Sequence, residues 1–236
     1  MIVIENEELE KSVLAGVSCI AVPVEVFVPA DGEPVITTYS ACRDAAKEWE
    51  DKFSPDLLSD RSVRYIENKM SAFAEKLGYR HFESENTFMT EYVFTPSMQL
   101  TKKDFSVKVH KISSNAVLEK LCEASGCDIE IADDGEDVVF AVVEDGCILA
   151  YAGMNDVFYS DNSVEISVET APDCRRRGYG EACVAALTEH LVSKGITVRY
   201  KCSMDNTPSC ALAEKLGFRL DGARYSFVCE RVYAND

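Results

Sequence analysis

Several things are scarce or missing in this 236-residue chain, and each absence closes off a class of function. Positive charge is short. Lys and Arg number 24 against 41 Asp and Glu, a net charge of −17. Nucleic acid and anionic membrane both need a basic footprint, so neither is an expected partner. No apolar run reaches the length that spans a bilayer. The acidic start, MIVIENE, has no apolar stretch of the secretory-leader kind, which sets the expectation of a cytoplasmic protein. Ten cysteines are present, yet none forms a Cys-x-x-Cys, and the nearest pair, Cys122 and Cys127, lacks partner ligands. They read as small, reduced core residues, with no metal site expected. There is no Gly-Lys-Ser/Thr, hence no P-loop, and Cys183 stands where a dinucleotide fingerprint needs its third glycine.

What remains is an ordinary globular composition, 47% hydrophobic and 28% charged, long enough for one large domain or two small ones. A boundary is expected near residue 100, where residues 97–104 are polar and aperiodic. Before it, residues 19–28 and 35–39 are β-branched runs around an Ala-Asp-Gly-Glu-Pro break and suggest a hairpin. Residues 41–53 and 62–77 carry helical spacing, with Gly78 as a helix stop. Residues 79–94 are rich in aromatic and β-forming residues. After the boundary the order reads strand (105–110), helix (114–124), strand (138–143), strand (147–153), strand (163–169), helix to about 194, strand (197–202), helix to 216 and strand (223–231). Glu-Asp-Gly at 144–146 marks a tight turn between two strands. Thr207 is an expected N-cap with Pro208 at the first helical position.

The most informative stretch is Cys174-Arg175-Arg176-Arg177-Gly178-Tyr179-Gly180-Glu181. It follows the alternating run SVEISVE and opens a helix whose Cys183, Leu187 and Leu191 recur every four residues. Glycines let the backbone turn sharply and approach a ligand closely. The free N–H groups of the first helical turn then converge, and with the helix dipole they favour a pyrophosphate or similar anion. Arginines add charge-assisted hydrogen bonds in a chain that is otherwise acidic. A phosphorylated cofactor is therefore expected at residues 175–181.

The strand–Arg-x-x-Gly-x-Gly–helix order resembles the GNAT superfamily of acyl-CoA-dependent N-acetyltransferases, whose signature Arg175, Gly178 and Gly180 match. Downstream, Asn206-Thr-Pro-Ser209-Cys-Ala-Leu-Ala-Glu-Lys-Leu-Gly-Phe218 resembles the second hallmark of that family, an Asn-led helix ending in Leu-Gly-Phe. The resemblance covers residues 138–231 most clearly and extends back to about 105. It implies an α+β GNAT fold over 101–236, a mixed, mostly antiparallel sheet with helices on both faces, beside an N-terminal α/β region over 1–100. That region either shapes an acceptor pocket or is a degenerate copy of the fold.

The resemblance also implies acetyl-CoA as cosubstrate and a small-molecule or peptide amine as acceptor, with a homodimer left open. Backbone groups of Val168, Glu169 and Thr170 would pair with the pantetheine arm like an added strand, in a splay between the strands ending at Glu169 and Cys202. Amides from Arg176 to Glu181, through Arg177, Gly178, Tyr179 and Gly180, would hold the pyrophosphate beside Arg175. Asn206 would reach the pantetheine arm and Ser209 would add a contact. A backbone N–H near Val168 occupies the place of the oxyanion donor. Glu165, thirteen residues before Gly178, stands where many relatives carry an acidic residue and is the candidate general base. The aromatic acid that many relatives place in the second-motif helix is absent, because Ala213 holds its position. Tyr225 in the last strand is the candidate to fold over the site in its stead. Two other readings stay open: a non-catalytic acyl-CoA-binding sensor, and a nucleotide-binding regulator, which the missing phosphate-loop lysine disfavours.

Overall fold

The computed structural model describes residues 2–15, 18–82, 87–101, 105–127, 129, 131, 137–158 and 161–232. The chain forms two compact units that interleave in sequence. The first comprises residues 1–91, 202–206 and 221–236, and the second residues 92–201 and 207–220. A single boundary near residue 100 does not describe this arrangement, because the chain's last strand belongs with the first unit.

The first unit is built on β1 (Ile2–Glu5), β2 (Ile20–Pro29), β3 (Val35–Thr38), β4 (Tyr79–His81), residues 88–91 of β5 (Phe88–Phe94) and residues 221–231 of β11 (Arg219–Arg231). Its strand order is β1-β3-β2-β11-β5, with β4 also pairing with β11. The expected hairpin is present as β2 and β3, antiparallel from Val24↔Thr38 to Phe27↔Val35. The interleaving comes from β11, which pairs with β2 from Gly222↔Pro29 to Glu230↔Ile20. Alternation drives Val24, Val26, Tyr225, Phe227 and Cys229 into the core. Helices α2 (Arg43–Phe53) and α3 (Asp60–Lys76) contribute to the same core. Val63, Ile66, Met70 and Ala74 of α3 lie on one helical face, all buried. Trp49 of α2 is fully buried, and its indole N–H donates to Ser62 Oγ at 2.7 Å. Gly78 takes φ +77 just past the end of α3, the left-handed stop that its sequence position suggests. Strand β1 and helix α1 (Glu7–Leu14) carry no pattern in the sequence strong enough to mark them. From α1, Glu10 reaches the turn before α2, where its carboxylate accepts from Ser40 N and Oγ at 2.9 and 2.6 Å and from Ala41 N at 3.1 Å.

The second unit contains β6 (His110–Ile112), α4 (Asn115–Ser125), β7 (Val139–Glu144), β8 (Cys147–Phe158), β9 (Ser163–Thr170), α5 (Tyr179–Ser193), β10 (Thr197–Ser203, of which 197–201 belong here) and α6 (Thr207–Leu216). This is the expected element order. The first strand is displaced to residues 110–112, and residues 102–104 of the polar stretch before it lie outside the described residues. Strand order is β5-β10-β9-β8-β7-β6. The β6–β7, β7–β8 and β8–β9 ladders are antiparallel and β9–β10 is parallel, so the sheet is mixed and mostly antiparallel. Asp145 and Gly146 take φ +50 and +80 between β7 and β8, the two-residue turn whose twist matches a hairpin.

Helices cover both faces of this sheet. Helix α4 buries Leu118 and Cys122 against Val139 and Ala141. Helix α5 lies on the opposite face, where Cys183 Sγ donates to Ala150 O at 3.6 Å. Cys183, Leu187 and Leu191 are at most 1% exposed, as their four-residue recurrence predicts. The Leu-Gly-Phe run is structural. Gly217 has φ +93 and turns the chain out of α6, and Phe218 packs on Phe94 and Tyr200 at 5.2 and 5.8 Å between ring centroids. No disulfide links the ten cysteines, all of which lie among the described residues. No helix among the described residues is long and apolar enough to cross a membrane.

Candidate active site

The site grows out of one strand that is longer than its pairing. Strand β9 has eight residues, but its parallel ladder with β10 runs only from Ser163↔Thr197 to Ile166↔Tyr200. On its other side β9 remains paired with β8 out to Ala150↔Thr170. Residues 167–170 thus keep one partner strand and have no register with β10. Backbone N–H and C=O groups alternate between the two edges of a strand, so part of this stretch offers unpaired groups toward the β10 side. This is the expected splay, ending where Val168, Glu169 and Thr170 stand.

Immediately after β9 the chain makes a single 3-10 turn, Pro172–Cys174, and enters the Gly-x-Gly loop. Arg176 has φ +60 and Gly178 has φ +82. The left-handed value at Arg176 costs about 1–2 kcal/mol for a residue with a Cβ. Alternation of left- and right-handed residues is the geometry that turns successive N–H groups into an anion-binding concavity. Gly178 is also the N-cap of α5 and offers no side-chain cap. Among the described residues, the N–H groups of Arg176, Arg177, Gly178, Tyr179 and Gly180 have no backbone acceptor. A helix start that is left uncapped by its own chain carries the positive end of its dipole into solvent.

The two glycines serve different needs. Gly178 supplies the positive φ, and a Cβ there would meet nothing within 4 Å. Gly180 is buried, and a Cβ built on it would lie 2.7 Å from Thr170 Oγ1 and 3.3 Å from Val168 Cγ2. Its role is to seat the first turn of α5 directly on β9, which corrects the expectation that it clears space for a ligand. That contact places the uncapped N–H groups beside the open edge of the same strand. Arg175 is exposed and its Nε donates to Thr170 O at 3.2 Å, while Arg176 and Arg177 are exposed. Glu181 points inward, its side chain 9% exposed, and pairs with Lys215 of α6 at 2.6 Å, tying the two helices together.

The opposite face of β9 carries the carboxylates. Glu165 has a side chain 14% exposed; it pairs with Lys201 Nζ at 2.9 Å and accepts from Asn155 Nδ2 at 3.1 Å. Glu169 is exposed and accepts from the Tyr151 hydroxyl at 2.9 Å, directly across the β8–β9 ladder. Burial, and then that hydrogen bond to Glu169, push the Tyr151 hydroxyl's pKa well above the ordinary tyrosine range. Lys201, Asn155 and Tyr151 were not legible as site residues. The alternation of the run that becomes β9 was visible, but the neighbouring strand and its register were not.

Three other expected positions are placed differently. Ser209 Oγ shares a 2.6 Å hydrogen bond with the Tyr200 hydroxyl and so anchors α6 to β10. Asn206 is exposed, belongs to the first unit and donates its N–H to Ser203 O at 2.9 Å. Tyr225, expected to fold over the site, is fully buried in the first unit's core instead. It packs on Phe88 at 4.8 Å, with its hydroxyl 3.3 Å from Glu67. Alternation along the last strand points it inward, as it does for most strand aromatics. Ala213, which replaces the aromatic of the second motif, is fully buried in α6.

Comparison with known proteins agrees with this geometry. The sequence model of the Acetyltransferase (GNAT) family matches residues 103–218. Among solved structures, a protein from Novosphingobium aromaticivorans described as a GNAT-family acetyltransferase superposes with a TM-score of 0.51 at 19% identity, over 66% of this chain and 69% of that one. A GCN5-related N-acetyltransferase-like protein from Streptococcus suis gives 0.47 at 19% identity, over 72% and 68%. At such identities the first likeness speaks for the fold alone, and the second, with its lower score, adds nothing to it. No relative matches among curated proteins. Strand order, the uncapped Gly-x-Gly helix and the family match converge on one stretch: residues 103–218 of the chain form an acetyltransferase domain of the GNAT family.

Proposed function

We propose that this protein transfers an acetyl group from acetyl-CoA to a primary amine of a small molecule or peptide. The observation that carries the reading is the juxtaposition, on one strand, of an unpaired edge at residues 167–170 and an uncapped helix start at 176–181. The donor set suits a pantetheine amide chain on the first and a pyrophosphate on the second. Bound acetyl-CoA would supply an acyl group activated as a thioester. The chain's own residues do the rest. Backbone groups of Val168, Glu169 and Thr170 hold the arm as an added strand. N–H groups from Arg176 to Glu181 hold the diphosphate, with Arg175 beside them. A backbone N–H near Val168 faces the charge that develops on the carbonyl oxygen.

An amine must lose a proton to react, and Glu165 is the group we assign to receive it. The Glu165 carboxylate accepts from Asn155 and pairs with Lys201, which hold it on the face of β9. No general acid is assigned for the departing thiolate, since neither Ala213 nor Tyr225 can serve. The first hundred residues hold none of the cofactor groups, and we assign them to the acceptor side. The test is release of free thiol from acetyl-CoA across a panel of primary amines, beside a thermal-shift measurement with acetyl-CoA alone. Amine-dependent thiol release supports the transferase. Thermal stabilisation with no amine-dependent release would make the protein a sensor, and stabilisation by ATP in place of acetyl-CoA would overturn the cofactor assignment.

A further inference from the structure

The acidic surface of this chain has a gap in the first unit. Where α2 ends and α3 begins there is a pocket of about 330 Å³ lined by Lys52, Phe53, Arg61, Arg64, Tyr65 and Asn68. Its size is at the low end for small-molecule sites. Phe53 and Tyr65 form its aromatic wall, 5.2 Å apart and inclined at 51°. Lys52 Nζ lies 4.2 Å from the Tyr65 ring centroid. The ring is held from behind: the Tyr65 hydroxyl donates to Glu48, and the same carboxylate pairs with Lys69 at 3.0 Å. That accounts for Glu48 and for Lys69.

The Tyr65 hydroxyl and Lys69 hold the Glu48 carboxyl below its ordinary value, and Lys52 helps, which leaves Arg61 and Arg64 as the two cations without a carboxylate partner. Among the described residues, neither arginine has a carboxylate within ion-pairing distance, in a chain with 41 Asp and Glu. Arg64 spends its Nε on Asp60 O at 3.2 Å, which leaves its two terminal nitrogens available. Asn68 donates Nδ2 to Arg64 O at 2.8 Å, so its side-chain oxygen remains an acceptor. Arg61 and Arg64 on a concave, ring-walled surface repel each other, and a bound anion relieves that repulsion. Guanidinium forks match phosphate oxygens in pairs, and neither Arg61 nor Arg64 spends its fork on an ion pair among the described residues. Flat rings find partners in Phe53 and Tyr65.

We propose that this pocket binds a small organic phosphate carrying a flat ring, of the nucleoside-monophosphate class. It is separate in the chain from the Gly-x-Gly loop, and it does not depend on the acetyl-transfer reading. Calorimetry of the full-length protein with AMP tests it. Saturable binding is expected, weakened by added salt, and weakened at least about tenfold by the double substitution Arg61→Glu with Arg64→Glu. Both arginines are exposed, so the double variant is expected to melt with the parent; Lys52→Glu is a second variant that reads the same site. Adenosine and inorganic phosphate should each bind more weakly than AMP. Gly178→Val should leave AMP affinity unchanged, because that substitution strikes the other phosphate-cradling loop. The proposal is overturned by absence of saturable AMP binding, by adenosine or phosphate matching AMP, or by binding that survives the charge reversals and is lost in Gly178→Val.

Discussion

Each unit of this molecule contains a parallel pair of strands and a turn that opens a helix, and the two units treat the polar groups of these in opposite ways. In the first, β1 and β3 are four residues each and pair over their whole length, Ile2↔Val35 to Glu5↔Thr38. In the second, β9 and β10 have eight and seven residues and pair over four. The turn that leads into α2 receives the buried Glu10 carboxylate on Ser40 and Ala41. Helix α5 has Gly178 as its N-cap, with no side-chain cap bond. One unit spends its polar ends internally and gains rigidity. The other leaves them open where β9 runs into α5, which is where we propose the site.

The widest expected effect is chemical. Glu165→Gln should lower kcat about a hundredfold or more, since positioned proton transfer contributes roughly 10²–10⁴ in rate. Acetyl-CoA affinity should hardly change, and the residual rate should climb with pH as more amine arrives neutral. Lys201→Met sharpens the assignment. A base role requires Glu165→Gln to be the more damaging of the two in kcat, whereas a purely structural ion pair makes them alike.

Weakening the internal cap is the next largest change. Burial alone would raise the pKa of Glu10, but the hydroxyl and N–H of Ser40 and the N–H of Ala41 outweigh it and hold the carboxyl below its ordinary value. A depressed folded-state pKa gives stability that is complete above the unfolded-state pKa and is lost as pH falls through the folded value, here in the region of about pH 4 and below. Glu10→Gln should therefore destabilise the protein by about 1.5–3 kcal/mol near neutrality. It should also flatten the fall of Tm on acidification. Parallel acid melting curves for the two proteins would break the comparison.

Gly180→Val should raise the Kd for acetyl-CoA about tenfold or more, because a side chain there must push the start of α5 off Thr170 and Val168. Unchanged affinity would mean that the seating of α5 on β9 does not set the cradle. The smallest effect belongs to Arg175→Ala. Its side chain is exposed and engaged with Thr170 O, so calorimetry should show a loss of about two- to threefold.

Local pattern was enough to read nearly all the elements after residue 110 and the loop that joins β9 to α5. The spacing of Cys183, Leu187 and Leu191 declares a helical face, and Gly178, Gly195 and Gly217 declare turns, because each signal lies within a few residues of what it specifies. The turn and helix start within residues 175–181, on which the proposed anion site rests, were legible for the same reason. Tertiary structure alone decided that β11 pairs with β2 across nearly 200 residues, that the β9–β10 ladder stops at Ile166, and that Lys201 stands beside Glu165. It also decided that Gly180 is a packing residue and that Tyr225 faces the core. Pairing and register follow from which hydrophobic faces bury together, a property of the whole chain that no window of the sequence contains.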